Sequence, residues 1–237
     1  FPADEQAMRQ RAGLLGQAIR THLYDPVGKR YRDSYGSDQS HQGTNVLAYQ
    51  YGLVPQEDRE NVLEYIAGSG LDTKTLLSLN LLRVLFEGGK EREAYALLAK
   101  TDYPGWGYMI EQGSKTIWEG FDDIESHSHA WNAYPARMLV EYVVGIRTAV
   151  PGWDQILIKP YVPAELEWAE GAVATPRGRV RIKWGKTEEG LRLESDIPAN
   201  ADATLIVPEG FEPPKPGAGR ECPLGPGRRS LLLRYGR

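Results

Sequence analysis

The hydrophobic period of this chain switches once, near Pro151, and the switch restricts it to folds that join a helical part to a sheet part. Upstream, apolar residues recur at helical spacing. Ala12, Leu15, Ile19 and Leu23 share one face of a segment covering residues 3–23. Residues 43–51 read as a second helix, closed by Gly52 with Pro55 beyond. A third opens at Pro55, buries Val62, Leu63 and Ile66, and stops at Gly68. Asp72 or Thr73 is expected to cap a fourth that runs to Phe86 and ends at Gly88-Gly89. Residues 91–100 make a short fifth, and residues 126–144 a sixth ended by Gly145, with Pro135 kinking or delaying its first turns. Downstream, QILIKP, RGRVRIKW, LRLESDIP and ATLIVP read as strands, and Val180, Ile182 and Trp184 share one strand face against Arg179, Arg181 and Lys183 on the other. Trp168 is expected in the same core as Trp184. Residues 212–229, rich in Pro and Gly, are expected to be loop, with LLLRY as a last strand. The expected layout is therefore residues 1–150 as about six paired helices and residues 151–237 as a small all-β sandwich.

Composition excludes several classes of function. The 237 residues carry a formal net charge of −4 and no basic stripe with interleaved aromatics, which argues against a nucleic-acid partner. No apolar run approaches the roughly 20 residues that span a bilayer, so no membrane partner is expected. Cys222 is the single cysteine, which excludes an internal disulfide. There is no phosphate loop, dinucleotide fingerprint, Cys–His dyad or G-x-S-x-G elbow, and no cofactor is expected. The chain opens Phe1-Pro2-Ala3-Asp4 without an initiator methionine or a signal-peptide core, as expected of a processed protein or a piece of a longer one.

The chemistry is concentrated in residues 101–146. Trp106, Trp118 and Trp131, the histidines His127 and His129, and the carboxylates Glu111, Glu119, Asp122, Asp123 and Glu125 fall close together. Residues 102–125 are expected to be an irregular, glycine-punctuated loop, and long loops in compact domains are usually functional. Indole faces stack on pyranose rings, and carboxylates bond hydroxyls and do acid–base work at an acetal. Glu119, which follows an indole, suits a general base; a solvated surface acid is the plain alternative. Asp122, Asp123 and Glu125 suit substrate contact or the capping of a helix start. His127-Ser128-His129 lacks the further ligands a metal site needs, so no metal is expected and a sugar-hydroxyl contact is the better reading. Gly105, Gly107, Gly113 and Gly120 permit turns and close approach to a ligand.

These segments carry a resemblance. DYPGWGYMIEQGSKTIWEGFDD, then SHSHAW and PGWDQILIKP, resemble the C-terminal half of bacterial α-L-rhamnosidases, glycoside hydrolase family 78. YRDSYGSDQSHQGTNVLAYQYGLVP resembles a helix–loop–helix of the same catalytic domain, and EWAEGAVATPRGRVRIKW with IPANADATLIVP resembles that family's C-terminal β-sandwich. The likeness covers nearly the whole chain, and the YPGWGYMIEQGSKTIWE block is its most specific motif.

The resemblance implies part of an (α/α)6 six-hairpin barrel followed by a β-sandwich, and inverting hydrolysis of terminal α-L-rhamnosides by two acids. Glu119 corresponds to the general base and His129 to a rhamnose contact. On the residues themselves, Trp106, Trp118 and Trp131 read as pocket walls with core packing as the alternative, Asp122 as orienting water or sugar, and His127 as a sugar contact or a structural residue at a helix start. The general acid of the family lies in an acidic, arginine-containing motif that has no counterpart here. The isolated chain is therefore expected to be inactive, with the N-terminal part of the same barrel as its partner, or to cover its exposed apolar faces by forming a homo-oligomer. A non-catalytic carbohydrate-binding remnant, and a lyase or divergent glycosidase on the same toroid, are the competing readings.

Overall fold

The computed structural model of the protein describes residues 2–122, 126–215 and 217–236. Two units partition the chain, Phe1–Tyr134 and Pro135–Arg237. The first is helical. Helix α1 (Pro2–Leu23) has Asp4 and Glu5 in its first turn and Arg20 in its last, which complements the helix dipole. Its apolar residues Met8, Leu14 and Leu15 are nevertheless exposed. A two-residue hairpin, β1 (Tyr24–Asp25) with β2 (Arg30–Tyr31), leads to α2 (Gln42–Gln50), α3 (Arg59–Gly68), α4 (Ser78–Glu87), α5 (Glu91–Ala99) and the short α6 (Trp106–Glu111). The core gathers on α4, where Leu81, Leu82, Val84, Leu85 and Phe86 are buried, together with Val46 of α2 and Val62, Leu63 and Ile66 of α3. Burying each such side chain contributes about 2 kcal/mol before chain entropy is subtracted. No helix among the described residues is long and apolar enough to cross a membrane.

Two boundaries differ from expectation. The fourth helix starts at Ser78, not at Asp72 or Thr73, because Lys74 sits at φ 57° and breaks any helical run there. Within the segment expected to be irregular, Trp106–Glu111 is helical, since Trp106 and Met109 stand three residues apart and bury one face.

Buried amides fix the loops between these helices. Gln42 Nε2 donates to the carbonyls of Ile66 and Gly70, both at 2.7 Å, and its Oε1 accepts from the N–H groups of Asp72 and Thr73, both at 3.0 Å. All the hydrogen-bonding capacity of one buried side chain is thereby spent on tying the end of α3 to the approach to α4. Asp33 fixes the entry to α2, accepting from the His41 N–H at 3.0 Å and the Thr44 hydroxyl at 3.0 Å.

The second unit is entered through α7 (Tyr134–Met138), which continues as a π-helix, Leu139–Val144, and ends at left-handed Gly145. The sixth helix thus begins at Tyr134, not at residue 126. Pro135 occupies its first turn, where a missing N–H removes no intrahelical bond. Eight strands follow: β3 (Ile146–Thr148), β4 (Gln155–Ile158), β5 (Trp168–Thr175), β6 (Gly178–Thr187), β7 (Gly190–Ile197), β8 (Asp202–Ile206), β9 (Glu221–Leu224) and β10 (Gly227–Arg234). They form two four-stranded sheets, ordered β10-β7-β6-β5 and β3-β4-β8-β9, antiparallel except where β4 meets β8. Val180, Ile182 and Trp184 are fully buried, and the Trp184 indole N–H donates to the Val143 carbonyl at 2.9 Å. β9 lies inside the segment expected to be loop; Cys222 and Leu224 alternate inward, and Pro223 is tolerated because β9 is an edge strand. Trp168 departs from expectation. It is exposed, because alternation along β5 puts Ala169, not Trp168, opposite Trp184.

Candidate active site

The segment from Lys100 to Asn132 is built on close backbone packing. A Cβ at Gly107 would stand 2.6 Å from the Lys100 carbonyl oxygen, and one at Gly105 would stand 2.9 Å from the carbonyl oxygens of Asp102 and Lys100. These glycines admit the chain's own backbone, not a ligand, and so let α6 start hard against the end of α5. The Trp106 indole is buried there, edge-on to Phe121 at 5.3 Å between ring centroids.

Two arms, residues 116–119 and 126–129, are joined by backbone bonds. The Glu119 N–H donates to the Ser126 carbonyl at 3.0 Å, and the His129 N–H donates to the Ile117 carbonyl at 2.7 Å. The Thr116 hydroxyl donates to the His127 carbonyl. From outside, the Thr75 hydroxyl donates to the Glu119 carbonyl at 2.7 Å. From beneath, Asn132, fully buried, donates through Nδ2 to the Trp118 carbonyl at 2.9 Å. Its Oδ1 accepts from Trp106 Nε1 at 3.0 Å. Glu119 is thus gripped at its own N–H, at its own carbonyl and at the carbonyl before it.

This scaffold presents Glu119 beside His129. Glu119 Oε2 lies 3.9 Å from His129 Nδ1, with the two side chains 42% and 30% exposed. At 3.9 Å no hydrogen bond exists, and Nδ1, itself shut off from solvent, has no hydrogen-bond partner among the described residues. A buried polar atom in that condition costs about 1–3 kcal/mol. A shift of roughly 1 Å by the carboxylate would satisfy it. The His129 ring meets Trp131 edge-on at 5.1 Å, and Trp118 stacks on the His127 ring at 5.1 Å and 24°. The carboxylate therefore shares its surroundings with imidazole and indole, a set suited to hydroxyl-rich, ring-shaped ligands.

The expected residues separate by place. Glu119, His129, Trp118, His127 and Trp131 come together on the two arms and the turn after them. Trp106 is interior, its N–H committed to Asn132. Asp122 is exposed and accepts from the Tyr103 hydroxyl at 3.2 Å. Asp123 and Glu125 lie outside the described residues. Among those residues, no group of three or more His, Cys, Asp or Glu side chains could hold a metal. Asn132 and Thr75 were not anticipated. An asparagine inside A-W-N-A was the only local hint of the first, and Thr75 lies far from Glu119 in sequence.

Comparison with known proteins follows the two units. Residues 2–143 match the model of the bacterial α-L-rhamnosidase six-hairpin glycosidase domain, and residues 145–218 match that of the bacterial α-L-rhamnosidase C-terminal domain. The chain is 32% identical over 235 residues to an α-L-rhamnosidase of Formosa agariphila, with 88% of this chain and 25% of that protein covered. It is 27% identical over 230 residues to one from Alteromonas sp. (strain LOR), covering 88% and 24%. The solved α-L-rhamnosidase of Dictyoglumus thermophilum superposes with a TM-score of 0.87 at 24% identity, over 98% of this chain and 29% of that one, which shows a shared fold. The chain spans about a quarter of the length of the curated relatives it matches. Its helices are part of an (α/α)6 six-hairpin barrel, followed by a C-terminal sheet domain.

Proposed function

The chain belongs to the bacterial α-L-rhamnosidase six-hairpin glycosidase family, and from that premise we propose that it carries the water-activating half of an inverting glycosidase site that cleaves terminal α-L-rhamnosides. Glu119 is the general base. It takes a proton from water as the oxygen attacks the anomeric carbon, and a carboxylic acid on the opposite side of the sugar, supplied by the remainder of the barrel, protonates the leaving oxygen. Inversion requires the two carboxyls to stand roughly 6.5–9.5 Å apart, which leaves room for the water.

The observation that carries this reading is the unmet His129 Nδ1 beside the Glu119 carboxylate. A proton on Nδ1 would face Glu119 and leave Nε2 as an acceptor for a sugar hydroxyl. The Glu119 backbone is held on three sides, which a base acting on a positioned water needs. Trp118 and Trp131 are the apolar walls, with His127 backing Trp118. Asp122, through Tyr103, orders the rim, and Trp106 supports the base through Asn132.

The exposed Met8, Leu14 and Leu15 on α1 support a further part of the reading, since an apolar face of this kind is covered when the barrel is complete. The 237-residue chain and the longer parent are to be compared on an aryl α-L-rhamnoside. The parent turns over and this chain does not; Glu119→Gln in the parent lowers kcat by about 10²–10⁴-fold, the usual worth of a general base. Equal turnover by chain and parent, or a parent indifferent to Glu119→Gln, overturns the assignment.

A further inference from the structure

Trp168 offers an open indole on the outer face of the β10-β7-β6-β5 sheet, remote in sequence from Glu119. Along β5, Ala169, Gly171 and Val173 stand opposite Trp184, Ile182 and Val180 on the buried face, so Trp168 lies on the other face, 60% exposed. Its cross-strand partner is Gly185, and the partner of Gly185 on β7 is the exposed Arg192. Indole and guanidinium thus flank a glycine in one row across three strands, with their Cα atoms about 10 Å apart at ordinary strand spacing.

Gly185 is not demanded by the backbone. Its φ lies outside the left-handed range, and a Cβ there would meet Trp168 Cβ at 3.7 Å and the Glu167 carbonyl oxygen at 3.9 Å, both ordinary contacts. What the glycine does is leave the space beside the indole empty. The adjoining rows line a concavity of about 310 Å³ with Arg181, Lys183, Glu194, Asp196, Arg228 and Ser230. Arg181 is held by Glu170 at 2.7 Å and Arg228 by Asp196 at 3.1 Å. Lys183 and Arg192 make no ion pair among the described residues. Arg192 is therefore an unpaired cation, among the described residues, in the row of a flat apolar ring, and Lys183, cross-strand from Glu170 and Glu194, adds positive charge one row away.

We propose that this face binds an acidic glycan of the hexuronate class. One pyranose ring stacks on Trp168 in the space Gly185 leaves, its carboxylate pairs with Arg192, and the carboxylate of a neighbouring residue reaches Lys183. A neutral sugar would leave the cations unused, and a small inorganic anion would leave the indole unused. The chemistry is that of planar Arg–carboxylate pairing beside an aromatic platform.

The 237-residue chain is to be titrated with trigalacturonate and with maltotriose by calorimetry and intrinsic fluorescence. Trigalacturonate binds saturably and weakens as salt rises, and maltotriose binds about tenfold less tightly or worse. Trp168→Ala, Arg192→Gln and Gly185→Leu, each with an unchanged far-ultraviolet circular dichroism spectrum, lose about tenfold or more. Glu119→Gln binds as the unsubstituted 237-residue chain does, which separates this face from the proposed catalytic site. Absence of saturable binding, equal affinity for the two sugars, full binding by Trp168→Ala, or loss on Glu119→Gln overturns the proposal.

Discussion

Asn132→Ala tests the idea that Glu119 is held from beneath. The side chain is fully buried and makes two bonds that nothing nearby replaces in full. Truncation leaves the Trp118 carbonyl without its 2.9 Å donor, a loss of about 1–3 kcal/mol for a buried polar group. Trp106 Nε1 loses the 3.0 Å bond to Oδ1 but keeps the 3.1 Å bond to the Asn132 carbonyl, so this part costs about 0.5–1 kcal/mol. The expected destabilisation is about 1.5–4 kcal/mol, read as a shift in the urea midpoint at constant m. It is also expected to be local. Amide hydrogen exchange at Glu119 and His129, whose N–H groups bridge the two arms, should quicken at least tenfold more than exchange in α4. Asn132→Asp should be no milder at neutral pH, since a carboxylate oxygen would then face the Trp118 carbonyl. Thr75→Val, which removes only the 2.7 Å bond to the Glu119 carbonyl, should cost about 1 kcal/mol. A change below about 0.5 kcal/mol in Asn132→Ala, with exchange at residues 117–129 unaltered, would refute the argument that this amide positions the arm.

Two further perturbations address the frame. Gly145→Ala places a Cβ 2.4 Å from the Pro160 nitrogen at φ 88°, so crowding adds to left-handed strain and about 2–5 kcal/mol should be lost; Gly36→Ala, at φ 78° in open space, should cost only about 1–2 kcal/mol, and equal melting shifts for the two would show that the close approach does not matter. Stability should also fall at both ends of the pH scale. Asp58 is held below the ordinary carboxylate range by the Tyr24 hydroxyl at 2.5 Å and by Lys29 at 3.2 Å, so its contribution is present above about pH 4 and is lost as pH falls through its folded value. Tyr24 is pushed up by burial and by the same bond to Asp58, so its contribution is present below about pH 10 and is lost above it. Tyr24→Phe should flatten the alkaline arm and weaken the acid one in urea titrations; identical pH profiles for the two proteins would count against the pair.

Much of the fold was legible because period is a local property. The helices α2, α3 and α5 and the strands β4, β6, β7 and β8 follow from spacing and from glycine and proline punctuation alone. What was not legible depended on partners distant in the chain. The fourth helix starts late because residues before it serve other contacts: the N–H groups of Asp72 and Thr73 go to Gln42, and the Thr75 hydroxyl goes to Glu119. Trp168 and Trp184 have the same composition value and opposite fates, decided by which register β5 takes on β6.

By itself the sequence determined the chemistry on offer: a glutamate after an indole, two nearby histidines, a glycine-rich stretch and a change from helical to strand period. Tertiary structure alone decided which of these meet. Glu119 and His129 are ten positions apart, and bonds between the arms, among them those at residues 117 and 129 and at 119 and 126, bring carboxylate and imidazole to 3.9 Å. Only the tertiary structure sent Trp106 inward to carry Asn132, and Trp168 outward to stand beside an empty glycine. Residue type sets what a side chain can do, but burial and direction come from pairing between segments that no local pattern encodes.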